Sequence, residues 1–190
     1  MKKVVGAFVS LMVSAALLVS PAFAHDGAHG KKKEREERRG YVLKPGEGER
    51  LGPARIIKAS PKSGTQGGVM VLDQAPANFT VGLHYHTQAD EFFYILAGQG
   101  SFKIDGEAIP IGPDDVVFVP VGHDHGFSVS AERPLEMLVF LDRPGVAQDF
   151  RELHALRQSN PESLTLAQRN EIARRYGTVY KELSSFRDDE

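Results

Sequence analysis

Two short histidine-bearing segments carry the residue types from which a metal site is built. The first contains His84 and His86, followed five residues later by Glu91. The second, Pro120–Phe127, contains His125. Residues i and i+2 of a strand project to the same face, so His84 and His86 are expected side by side. With Glu91 from the next strand and His125 after a Pro/Gly turn, the chain would offer four ligands to one divalent ion.

Three imidazoles and one carboxylate fill four positions of an octahedron and leave two for water, substrate or dioxygen, as in catalytic metal sites. The donor types do not select among Mn, Fe, Co, Ni, Cu and Zn. The alternative is a metal-free barrel in which the four side chains hydrogen-bond to one another. Burying them together without a cation is costly, which favours metal binding.

The elements that must position these residues are short strands rich in Val, Ile, Phe and Tyr. Nine are predicted: Arg55–Lys58, Val69–Asp73, Phe79–His86, Glu91–Ala97, Ser101–Ile104, Glu107–Ile111, Val116–Val119, Gly126–Val129 and Leu135–Leu141. Asp105-Gly106 is a two-residue hairpin signal, because both central residues of a type I′ turn need positive φ. Closely spaced strands of this kind indicate an antiparallel sandwich or barrel.

After residue 144 the apolar period becomes helical. Val146, Phe150, Leu153 and Leu156 recur at three- and four-residue steps, and Asn160-Pro161 ends this segment. A second helix is predicted from Thr165, whose T-x-x-Q sequence forms a capping box, to a cap at Gly177. We expect the pair to pack against the barrel or a second subunit.

The chain of 190 residues contains no Cys and has a formal net charge of −2. The absence of Cys excludes disulfide frameworks, zinc ribbons, iron–sulfur clusters and thiol nucleophiles, so a metal must be held by His, carboxylates or backbone oxygens. The near-neutral charge gives no reason to expect nucleic-acid binding.

The N-terminus has the layout of a secretory signal peptide. Lys2 and Lys3 precede the apolar run Val4–Val19, and Ala22-Phe23-Ala24 provides a cleavage site. The competing interpretation is a membrane anchor, but the run is shorter than the roughly 20 apolar residues that span a bilayer. We therefore expect export to the periplasm or beyond and no stable membrane anchor after cleavage. The predicted segments are a signal peptide over 1–24, a flexible charged leader over 25–40, a barrel over 41–143 and a helical extension over 144–190.

The two histidine segments resemble the sequence motifs of the cupin superfamily. The first motif, G-x5-H-x-H-x3/4-E-x6-G, is matched by His84, His86, Glu91 and Gly98, and the second, G-x5-P-x-G-x2-H-x3-N, by Pro120, Gly122 and His125. Asn78 and Asp114 stand where the two motifs open with Gly, and both residue types tolerate left-handed backbone. Val129 replaces the final Asn, which removes one polar group beside the site.

The resemblance implies an all-β fold, the cupin double-stranded β-helix or jelly-roll barrel, with a short C-terminal α-helical extension. The chain is similar to single-domain bacterial cupins of the quercetin 2,3-dioxygenase group. This implies a metal-dependent oxygenase acting on a small chelating substrate, such as a flavonol-like cyclic enol or a small carboxylic acid, with Glu91 as the catalytic residue that takes the substrate proton. The alternatives are a non-catalytic cupin that binds a sugar or small acid and a metal-dependent isomerase.

Strand parity predicts which side chains surround the site. The inward side of the strands, which carries the ligands, also carries Gly82, Phe93, Ile95 and Phe127. These residues either line a substrate pocket or fill the core. His123 is either a rim residue or a group near the substrate. The opposite parity places Leu83, Tyr85, Phe92 and Tyr94 outside. An outer aromatic strip suggests burial under another layer, and the resemblance makes a homodimer the expected cover.

Overall fold

The computed structural model describes residues 38–160 and 164–182. The predicted signal peptide and the leader up to residue 37 lie outside the described residues, while residues 38–40 are exposed coil. Among the described residues, no helix is both long and apolar enough to cross a membrane.

Eleven strands are described, and all nine of the predicted strands are among them. Their bounds are β1 Glu49–Leu51, β2 Arg55–Ala59, β3 Val69–Ala75, β4 Thr80–His86, β5 Glu91–Ala97, β6 Gly100–Ile104, β7 Glu107–Ile111, β8 Val116–Val119, β9 His125–Val129, β10 Leu135–Leu141 and β11 Thr178–Tyr180. One sheet has the order β1-β2-β3-β10-β5-β8 and the other β11-β4-β9-β6-β7. The recorded pairings in both sheets are antiparallel, which confirms the predicted jelly-roll architecture.

The core lies between the two sheets. Alternation along β10 buries Leu135, Met137, Val139 and Leu141, because every second side chain of a strand faces the same side. Phe93 of β5 and Phe102 of β6 meet edge to face across this interior, with ring centroids 4.7 Å apart.

Within the described part of the chain, three non-glycine residues adopt positive φ at the turns, and each was expected to tolerate it. Asn78 (φ 63°) and Asp114 (φ 72°) occupy the positions where the cupin motifs open with Gly, and Asp105 (φ 47°) begins the β6–β7 hairpin. Gly98 (φ 86°) needs its lack of a side chain for a second reason, because a Cβ there would lie 2.2 Å from the Pro134 carbonyl oxygen.

The C-terminal extension contains helices α1 (Gly145–Ser159) and α2 (Leu166–Ala173). Thr165 forms the predicted capping box of α2 with Gln168, and a 3-10 turn after α2 ends at Gly177, which has φ 84°. The extension then continues into β11, a strand that the sequence did not predict. β11 pairs with β4, so the extension supplies the edge strand of one barrel sheet.

The outer aromatic strip is divided between the two sheets. Phe92 and Tyr94 of β5 are exposed, as predicted. Leu83 of β4 is buried and Tyr85 is only partly exposed. The outward surface that remains open is therefore on the sheet containing β5.

Candidate metal centre

The four predicted ligands come together inside the barrel. His84 and His86 lie on β4, and His125 lies on the adjacent strand β9, directly opposite His84 in the antiparallel register. Glu91 is the first residue of β5. This strand belongs to the facing sheet and is not a neighbour of β4 in its own sheet. The carboxylate therefore reaches the three imidazoles from across the interior.

One ligand atom from each residue points to a shared centre. These four atoms all lie within 4.8 Å of one another. Glu91 Oε2 is 3.0 Å from His86 Nε2 and 2.8 Å from His125 Nε2. His86, Glu91 and His125 are each at most 4% exposed, while His84 is partly open to solvent. Such a closely spaced set of imidazoles and a carboxylate fits a divalent cation.

The opposite nitrogen of each imidazole is held by a different partner. His84 Nδ1 is 3.1 Å from the Gly82 carbonyl oxygen, and His125 Nδ1 is 3.1 Å from that of His123. His86 Nδ1 is 3.1 Å from the Thr178 hydroxyl. Partners at Nδ1 fix the ring orientation and leave the Nε2 lone pair for a cation.

Backbone amides of the second histidine segment donate hydrogen bonds to the first. The Gly122 amide donates to the His86 carbonyl over 2.8 Å, and Gly122 adopts φ 85°. The Val121 amide donates to the Asp90 carboxylate over 2.9 Å. The turn before β9 is thereby tied to the end of β4, which sets the position of His125 relative to His86.

Charge interactions within the cluster shift its pKa values in opposite directions. Burial raises the pKa of Glu91, but the His86 charge and the hydrogen bonds from His125 and His86 outweigh it and hold this pKa well below its usual range. Burial lowers the pKa of His125, but its hydrogen bond to Glu91 prevails and raises it overall. Burial and the neighbouring imidazoles hold the pKa of His84 well below its usual range. Without a cation, Glu91 is thus charged, and His125 keeps a second proton more readily than His84 does.

The five predicted pocket residues have different surroundings. Phe93, Ile95 and Phe127 are buried, and the Phe93 ring centroid is 6.3 Å from that of His125. Gly82 lies at a bulge in the β4–β9 pairing and supplies the carbonyl beside His84. His123 lies at the rim, where Nδ1 is 2.5 Å from Asp105 Oδ2. Contact of any of these residues with a substrate remains a prediction.

Three residues around the site were not singled out by sequence reasoning. Thr178 contacts His86, and the Tyr180 ring lies 5.4 Å from the His84 ring. Asp149 of α1 is fully buried, and neither of its carboxylate oxygens has a hydrogen-bond partner. A signal for Asp149 was available, because it stands three residues after Val146 and four before Leu153, on the predicted apolar face of α1.

Comparisons with known proteins find similarity over the barrel. Residues 70–141 match the profile of the Cupin domain. Quercetin 2,3-dioxygenase of Bacillus subtilis is 31% identical over 114 residues, which are 58% of this chain and 33% of that protein. The oxalate-binding protein of Thermotoga maritima is 36% identical over 66 residues, which are 35% of this chain and 54% of that protein. The chain therefore spans a third to about half of the length of these curated relatives.

One solved structure is similar to part of this chain. The crystal structure of a predicted oxalate decarboxylase from Thermotoga maritima shares 28% sequence identity with this chain, with a TM-score of 0.45. The match covers 47% of this chain and 78% of that one.

Proposed function

Since residues 70–141 of this chain match the Cupin domain, we propose that its His/Glu cluster binds one divalent metal ion and that the protein is an exported, oxygen-dependent enzyme. The observation that carries the proposal is the convergence of four ligand atoms within 4.8 Å of one another in the barrel interior. The separate partners at the three Nδ1 atoms support it, because they orient the rings in the way that metal-binding imidazoles require.

The proposed substrate is a small molecule that chelates through enolate, phenolate or carboxylate oxygens. A bound divalent ion supplies Lewis acidity and, where it is redox-active, dioxygen chemistry. Glu91 is the proposed proton acceptor, since it is the one carboxylate of the cluster. The buried ring of Phe93, whose centroid is 6.3 Å from that of His125, would exclude water from one side of the site. Similarity to a quercetin 2,3-dioxygenase supports a cyclic enol as substrate.

A second candidate is binding of a small acid without turnover. Val129, buried at the end of β9, stands where the second cupin motif has a polar Asn. The similarity to an oxalate-binding protein also favours this candidate.

Oxygen uptake distinguishes these candidates. The protein is purified from the compartment to which it is exported, its metal content is measured, and it is mixed with flavonols, catechols and oxalate. Uptake that requires the metal and is lost in Glu91→Gln supports the enzyme. A ligand-induced rise in melting temperature without turnover supports the binding protein. Substrate conversion without oxygen uptake would instead indicate an isomerase.

The open outer face of the larger sheet supports a homodimer. Its members are large apolar residues, each between 36% and 66% exposed: Met70, Phe92, Tyr94, Leu96, Val116, Phe118 and Phe140. Phe92 stacks on Phe118 with ring centroids 4.7 Å apart, so the strip is continuous across β5 and β8. A contiguous apolar strip of this kind is unusual on a monomer, and a second copy is the proposed cover.

A further inference from the structure

The C-terminal extension contacts the candidate metal centre through β11. Thr178 pairs directly with His86 in the β11–β4 register. Its side chain is fully buried, and its hydroxyl oxygen is 3.1 Å from His86 Nδ1. The strand is fastened at both ends, because the Thr87 amide donates to the Gly177 carbonyl over 2.7 Å and the Lys181 amide donates to the Leu83 carbonyl over 2.8 Å. The hydroxyl of Thr178 therefore has a defined place beside the ligand.

Proton positions on His86 set the direction of this hydrogen bond. An imidazole that gives its Nε2 lone pair to a cation carries its one ring proton on Nδ1. Nδ1–H then donates and the Thr178 oxygen accepts. The Thr178 hydroxyl keeps one hydrogen of its own, and in a buried site that hydrogen needs an acceptor.

Asp149 is the acceptor that the fold provides. Its carboxyl is fully buried on α1, and both oxygens are without a hydrogen-bond partner. The Thr178 hydroxyl favours the charged form of this carboxyl, although the two groups do not yet meet in ordinary hydrogen-bond geometry. A hydrogen bond between them would satisfy both groups.

We propose that Thr178 and Asp149 are positioning residues of the metal centre, linked as Asp149–Thr178–His86. In this arrangement the carboxylate orients the hydroxyl, the hydroxyl orients the imidazole, and the helical extension becomes part of the site. Carboxylate partners also increase the basicity of a metal-binding imidazole, here through one intervening hydroxyl. The inference rests on the metal binding proposed above and adds the residues that tune it.

The test measures Zn²⁺ affinity of the full-length apoprotein by competition with a chromophoric chelator. Thr178→Val keeps the side-chain shape and removes the hydroxyl, so we expect binding to weaken by about 10- to 100-fold. Thr178→Ser restores the hydroxyl and should bind within about threefold of wild type. Thr80→Val, at the exposed start of β4, is the matched control and should leave the affinity unchanged.

Asp149→Asn separates positioning from folding. An amide oxygen is a weaker acceptor than a carboxylate, so Zn²⁺ binding should weaken about tenfold or more, and this loss should appear in a protein that is no less stable than wild type. The inference is overturned if Thr178→Val or Asp149→Asn binds Zn²⁺ within twofold of wild type, whatever the melting temperature. Wild-type apoprotein that fails to bind Zn²⁺ would instead overturn the proposed metal centre itself.

Discussion

Replacing Asp149 with asparagine should stabilise the metal-free protein at neutral and alkaline pH. Burial raises the pKa of the Asp149 carboxyl from its usual 3.8 to about 6, although the Thr178 hydroxyl and the charges of His86, Arg55 and Arg157 oppose the rise. One pKa unit corresponds to about 1.4 kcal/mol, so the ionised carboxylate costs the fold about 3 kcal/mol. Asparagine has nearly the same shape and carries no charge.

The pH dependence of this gain follows from the direction of the shift. Below the unfolded-state pKa of 3.8 the carboxyl is protonated in both folded and unfolded chains, so it has no cost. The cost grows as the pH rises toward the folded-state pKa of about 6 and is complete above it. We expect Asp149→Asn to raise the free energy of unfolding by about 3 kcal/mol near pH ~8 and by about half of that near pH ~5.

Urea unfolding of the metal-free proteins, followed by circular dichroism, measures these free energies. Glu171→Gln, an exposed acid-to-amide change on α2, serves as the control and should have little effect at either pH. Equal stability of Asp149→Asn and wild type near pH ~8, or a difference that does not change with pH, would refute the reasoning. Either result would mean that the carboxylate is adequately solvated or paired when the protein folds.

Three further perturbations probe other parts of the structure. The pKa of His125 is raised, and this ring must lose its extra proton before it can bind a cation. Metal affinity, measured by isothermal titration, should therefore rise with pH by up to about tenfold per pH unit until that proton is lost. A flat pH profile would contradict the assignment of His125. Gly98→Ala should lower the free energy of unfolding in urea by about 3 kcal/mol or more, because its Cβ would lie 2.2 Å from a carbonyl oxygen. Gly106 also has positive φ, but nothing lies within 4 Å of the position that a Cβ would take there, so Gly106→Ala should lower it by only about 1 kcal/mol. Equal losses would refute the close-contact argument. Phe118→Glu should convert the proposed dimer into a monomer in light scattering after gel filtration, and a wild-type monomer would refute the dimer.

Local patterns made much of the barrel predictable. Glu91–Ala97, Glu107–Ile111, Val116–Val119 and Leu135–Leu141 have the predicted bounds, because β-rich runs between Gly, Pro and Asp are recognisable within a few residues. The i, i+2 spacing likewise predicted that His84 and His86 would share a site.

Features that depend on distant parts of the chain were harder to predict. β11 is only three residues long, and its strand conformation depends on pairing with β4, 92 residues away at the contact between His86 and Thr178. Glu91 was expected on a neighbouring strand but lies on the facing sheet, since the link after β4 crosses between sheets. Asp149 lies on the predicted apolar face of α1, but the sequence alone does not show that its carboxylate is fully buried.

Metal stoichiometry of the purified protein tests the central claim most directly. Apoprotein dialysed against a divalent cation and analysed by mass spectrometry of the elements should retain one ion per chain. His86→Ala should retain none, whereas His123→Ala, which changes the exposed histidine at the rim, should retain the full ion. Full occupancy in His86→Ala, or no retained ion in wild type, would contradict a metal centre formed by His84, His86, Glu91 and His125.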